Sequence, residues 1–80
     1  MDNRGYATRI VRANQEASTE SSGVKLGRFC IKKDYPVREV AEYFGVSRMT
    51  IYKWFSGDWI PRKVHEAKIN EMLSKVGFVQ

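Results

Sequence analysis

GVSRMTIYKWFSG, residues 45–57, is the stretch on which the fold turns. Gly45 suits a left-handed residue closing a preceding helix, where a Cβ would be penalised. Val46 is apolar inside a turn, which suits a plug between two helices. Ser47 is a strong N-cap for a new helix. That helix runs to about Ser56, and Gly57 stops it. At about 100° per residue, Ile51, Trp54 and Phe55 define its inward direction. Met49, Lys53 and Ser56 then point nearly opposite, flanked by Thr50 and Tyr52. Arg48 lies near the boundary, in the first turn, where a long side chain reaches past the helix end. No acid stands on this outer face.

Upstream, Val37, Val40, Ala41 and Phe44 fall at i, i+3, i+4, i+7, the stripe of a helix buried on one side. Pro36 suits its first turn and forbids continuation of whatever precedes it. Leu26, Phe29 and Cys30 predict an earlier helix, N-capped near Ser22 and closed by Asp34 and Tyr35. Its other side carries Lys25, Arg28 and Lys32, a basic stripe better explained as a solvated face than as a phosphate-binding one. Downstream, the short connection DWIP leads to a last helix opened by Pro61, with a stripe at Ile69, Met72, Leu73 and Val76 and a stop at Gly77. Residues 1–22 end in the polar, small-residue run EASTESSG. The preceding YATRIVRANQ has only a thin stripe (Tyr6, Ile10, Ala13, Ala17), which favours a mobile arm over a short helix. The expected organisation is a flexible arm over 1–22, a compact all-α domain of four to five helices over 23–77, and a short tail over 78–80.

Eighty residues allow one small domain. The net charge is +5. Arg4, Arg9 and Arg12 balance Asp2, Glu16 and Glu20 within residues 1–22, so the whole excess sits in the helical part. A compact basic domain favours a polyanionic partner, nucleic acid before acidic lipid. The single cysteine, Cys30, excludes an internal disulfide and falls on an apolar stripe, where a small buried hydrophobe is expected. No membrane span and no apolar core of a secretory signal is visible. His65 is lone and lacks zinc spacing. Glu39, Glu42, Glu66 and Glu71 have the spacing of solvated helix surfaces. No phosphate loop, nucleophile elbow or persuasive carboxylate pair is present, so no enzyme, metal, cofactor or small-molecule ligand is expected.

Two short helices joined by a tight glycine-containing turn form a helix-turn-helix. Val40, Ala41, Gly45, Val46, Ile51 and Trp54 occupy the positions that arrangement needs. From Leu26 to Pro61 the chain resembles the DNA-binding domain of the lambda-repressor/Cro family. The resemblance is carried by Leu26, Phe29, Tyr35, Val40, Ala41, Phe44, Gly45, Val46, Ser47, Ile51, Trp54, Gly57 and Pro61, without a gap, over 36 of 80 residues. The chain departs from the family at Val37, where a phosphate-contacting Gln is common, and at Phe55, where a Glu is common. Lys63 and Glu66 replace usual apolar residues. The family also commonly has a fifth helix, and only Phe78–Gln80 remain after Gly77 to build it.

The resemblance implies a sequence-specific regulator of bacterial or phage type, most simply a repressor acting in the cytoplasm at an operator. The helix over about 47–56 would enter the major groove. Arg48 and Lys53 have the donors for guanine O6 and N7, and Met49 suits a thymine methyl. Tyr52 joins this base-facing set with no assigned partner. Ser47, Thr50 and Ser56, with Arg62 and Lys63 at the start of the last helix, are the expected backbone contacts. Arg4, Arg9 and Arg12 are possible arm contacts in the minor groove, against a plain disordered tail. Trp59 is expected to close the core rather than lie against the DNA. One helix reads few bases, so a homodimer on a palindromic site is expected, with half-sites about 34 Å apart. Ile31, Met72, Phe78, Val79 or the arm could form its surface. Two other functions fit the residues: an accessory protein of recombination or packaging, and a small protein–protein inhibitor that binds no DNA.

Overall fold

A computed structural model describes residues 6–77. Five helices follow in order: α1 Thr8–Glu16, α2 Ser22–Lys33, α3 Val37–Phe44, α4 Arg48–Ser56 and α5 Lys63–Lys75. Among the described residues there is no strand. None of these helices is long and apolar enough to cross a membrane.

The stretch expected as a mobile arm is α1, and it is packed against α2 and α4. Arg9 and Arg12 are therefore exposed residues of an ordered helix, while Arg4 lies outside the described residues. The thin apolar stripe concealed a polar anchor. Asn14 is only 2% exposed. Its amide donates to the Val24 carbonyl at 3.1 Å and the Phe55 carbonyl at 2.8 Å, joining three helices through one side chain. Phe55 O belongs to the last turn of α4, where carbonyls lack intrahelical partners, so Asn14 satisfies a group the helix cannot. Tyr6, just before α1, is buried in the core and donates its hydroxyl to Tyr35 O.

Arg28 completes this joint. Its Nη2 donates to the carbonyls of Asn14 at 3.3 Å, Gln15 at 3.0 Å and Ala17 at 3.2 Å. A guanidinium at a helix C-terminus satisfies orphan acceptors and complements the dipole. The supposed solvated stripe Lys25–Arg28–Lys32 thus contains the cap of α1. EASTESSG ends α1, turns over residues 17–21 and enters α2, with Ser21 rather than Ser22 at the N-cap position.

α2 packs against α1, α4 and α5. Leu26, Phe29 and Cys30 are buried as their spacing predicts, with Val24 beside them. Gly23 and Gly27, one turn apart on the same helix, let α4 approach. A Cβ on Gly23 would stand 2.9 Å from Trp54 Cβ, and one on Gly27 2.5 Å from Asn14 Nδ2 and 2.8 Å from Phe55 Cγ. Val37, Val40, Ala41 and Phe44 of α3 are all buried, as are Ile51, Trp54 and Phe55 of α4. In α5 the buried stripe is narrower than expected: Ile69 and Leu73 are buried, Met72 is half-buried, and Val76 is exposed. That helix begins at Lys63, after a buried Pro61.

Burial raises two acidic groups of this core. It pushes the Cys30 thiol from 9.0 up to about 12. It also pushes the Tyr6 phenol well above its usual value. Each group ionises by losing a proton, and each holds that proton more tightly folded than unfolded. These two groups should leave stability level up to about pH 9 and lower it beyond, by about 1.4 kcal/mol per pH unit from Cys30 and, above about pH 10, a similar amount from Tyr6. Urea midpoints that stay constant through this alkaline range would contradict the burial.

Candidate functional site

α3 and α4 meet through a turn closed by two backbone bonds. Val46 N–H donates to Ala41 O at 3.0 Å and Gly45 N–H to Glu42 O at 3.2 Å, the paired closure of a helix ended by a left-handed residue. Gly45 holds φ at 70°. Val46 is half-buried against the core, the plug its position suggested. Ser47 then caps α4: its hydroxyl accepts from Thr50 N–H at 3.1 Å and lies 2.9 Å from the Thr50 hydroxyl. With Ile51, Trp54 and Phe55 buried on the other side, the outer face of α4 is held at a fixed rotation.

The proposed base-facing residues do not all share one environment. Arg48 and Met49 are exposed, Met49 at 59%. Among the described residues Arg48 has no ion-pair partner. Tyr52 is half-buried, packed against the core and close enough to Tyr6 to add to the rise in that phenol. Lys53 is also half-buried. Its Nζ lies 3.7 Å from Asp58 Oδ2 and 5.9 Å from the centre of the Trp59 ring. The acid missing from the helix is thus supplied by the following turn. Trp59 does not close the core; it is 47% exposed, and its N–H donates to Lys53 O at 3.2 Å. Ile60 is exposed and lines a cleft together with Trp59, and Val64 is exposed in the first turn of α5.

The expected backbone contacts also separate. Ser47 is exposed and Thr50 half-buried at the start of α4. Arg62 and Lys63 are exposed at the start of α5, with Arg62 lining a cleft that Thr50 also lines. Ser56 stands apart. Its hydroxyl donates to Lys53 O at 3.2 Å and lines a depression with Ala17 and Ser21, on the side of the α1–α2 turn. Ile31 and Met72, two candidates for a dimer surface, are partly buried against the core, and Phe78 and Val79 lie outside the described residues.

The site therefore consists of an exposed pair at the N-terminal end of α4, a partly engaged lysine one turn on, and cations at the start of α5. It offers hydrogen-bond donors at the exposed N-terminal end of α4; Asp58 is paired with Lys53, and Glu66 follows in the first turn of α5. No family model, curated protein or solved structure matches the chain.

Proposed function

We propose that this chain is a sequence-specific double-stranded DNA-binding protein with a lambda-repressor/Cro-type helix-turn-helix. In this proposal α3 and α4 form the motif, α4 enters the major groove, and the protein acts as a transcriptional repressor at an operator. The observation that carries it is the α3–α4 unit itself. Its turn is closed by Gly45 and Ser47, one side of α4 is buried, and Arg48 and Met49 project from the free end. A groove about 12 Å wide admits such a helix, N-terminal end first. Arg48 then meets guanine O6 and N7, Met49 a thymine methyl, and Lys53 exchanges Asp58 for a base or phosphate. Thr50, Arg62 and Lys63 hold the flanking backbone, with the Ser47 cap fixing the helix end. The short reach of one helix favours a homodimer on a palindrome.

The exposed Trp59 and Ile60, which line one cleft, favour a second reading, in which the same surface grips a protein. Salt separates the two. Binding to duplex DNA should weaken with salt at a log–log slope of about −1.8 or steeper per protomer, from Arg62 and Lys63 alone. A titration of fluorescent duplex, selected from a random pool and repeated at rising salt, measures it. A slope near zero, or no duplex selected at low salt, rejects the DNA proposal.

A further inference from the structure

The cleft between α4 and the start of α5 has a lining that base reading does not use. Its volume is about 380 Å³, many times the roughly 30 Å³ share of one water. Val46, Trp54 and Ile60 form its apolar walls. Its polar lining is Thr50, Trp59, Arg62 and His65, each of which can donate a hydrogen bond, and none is a carboxylate. His65 is half-buried, with its ring centre 5.2 Å from that of Trp54, so the imidazole is backed by the core and turned to the cleft.

We propose that this cleft seats one phosphodiester of the DNA backbone, and that His65 sets its charge. The inference rests on the DNA reading above. A phosphate beside Arg62 and His65 favours the charged imidazole, because an opposite charge stabilises the ionised form. Binding then takes up a proton, and the protein brings one more positive charge to the DNA backbone at mildly acid pH than at mildly alkaline pH. An imidazole is the side chain that ordinarily changes charge between about pH 5 and 8.

The surroundings of His65 suit this. α4 presents Thr50 and Trp54 to it, the α3–α4 turn presents Val46, and the α4–α5 connection presents Arg62 as the charged group. On α5 itself, Glu66 lines the depression towards the α1–α2 turn instead. Lys68 is turned away, donating to Tyr43 O at 2.8 Å. Asp58, beside Lys53, is not among the residues that line the cleft. His65 is the chain's single histidine, so a pH effect in this range has one side-chain source.

The test uses the full chain and its preferred duplex, with affinity measured over a salt series at pH values near the two ends of the imidazole range. The log–log slope should be steeper at the acid end, by up to about 0.9 for one more positive charge set against the backbone. His65→Phe keeps a ring against Trp54 and should abolish the difference. His65→Lys should keep the steeper slope at both pH values. Calorimetry of the parent in buffers of different ionisation enthalpy should show proton uptake on binding, which needs no variant to fold. Equal slopes for the parent, a difference that survives in His65→Phe, or no proton uptake overturns the role of His65 and leaves DNA binding standing. A parent that binds no duplex at either pH overturns both.

Discussion

Gly27→Ala should lower the melting temperature by more than 10 °C, although it replaces a poor helix former with the best one. Within α2, helix propensity alone predicts a gain of up to about 1 kcal/mol. The added methyl would meet Asn14 Nδ2 at 2.5 Å and Phe55 Cγ at 2.8 Å. Neither neighbour can simply step aside. The Asn14 amide is held by two carbonyls from different helices, and Phe55 is fully buried. Overpacking costs about 1–3 kcal/mol. A displaced Asn14 adds about 1–3 kcal/mol for polar groups left buried without partners. The net loss is about 3 kcal/mol. In a domain of this size each kilocalorie moves the midpoint by about 4–8 °C. Circular-dichroism melts of Gly27→Ala, Asn14→Ala and the double variant give both the size and the mechanism. The double variant should lose less than the sum, because both changes break one joint. A higher midpoint for Gly27→Ala would mean that α1, α2 and α4 are not packed as described.

That joint also shows where the sequence was legible and where it was not. The α3–α4 unit is written in local chemistry. Gly45 supplies a positive φ, Ser47 a cap, and Val37, Val40, Ala41 and Phe44 a single period. Each can be recognised within a few residues, and each falls where expected. α1 is written in tertiary chemistry. Asn14 bonds Val24 and Phe55, 10 and 41 residues away, so it looked like part of a polar arm. Arg28 looked like surface for the same reason, since the α1 carbonyls it caps become visible only once the helices are packed.

One usable signal was present. Gly23 and Gly27 lie one turn apart inside a predicted helix, each at a cost of about 0.5–1 kcal/mol relative to Ala. Such a pair implies a close neighbour on that side. The resembling family's fifth helix has only Phe78–Gln80 left after Gly77, outside the described residues; the fifth helix of this structure is α1, on the N-terminal side, where an arm is the expectation. Around the site, Arg48 and Met49 are exposed as periodicity predicts, because nothing distant competes for them. Lys53, Trp59 and Ser56 differ because the α4–α5 turn folds back on the helix and engages all three.

Arg48→Ala should separate binding from stability. α4 carries no acid in its first turn, and Arg48 is its first residue. A cation there opposes the helix dipole, an unfavourable arrangement worth about 0.3–1 kcal/mol. Alanine removes that conflict and is the better helix former, so the melting temperature should hold or rise slightly. The side chain is exposed and lacks an ion-pair partner among the described residues, so its removal leaves nothing buried and unpaired. On the preferred duplex, affinity should fall by about 1–3 kcal/mol, roughly 5- to 150-fold, and preference should relax at one base pair in each half-site. Lys63→Ala gives the contrasting pattern: weaker binding to every sequence and a salt slope shallower by about 0.9. Selection from a randomised duplex pool with parent and variants reads the preference, and titrations of the preferred duplex over a salt series read the affinity and the slope. If Arg48→Ala retains the parent's sequence preference at every position, Arg48 is not a base reader. If it weakens all sequences equally, its guanidinium belongs with the phosphate contacts. Only a preference that relaxes at one base pair makes α4 the helix that reads sequence.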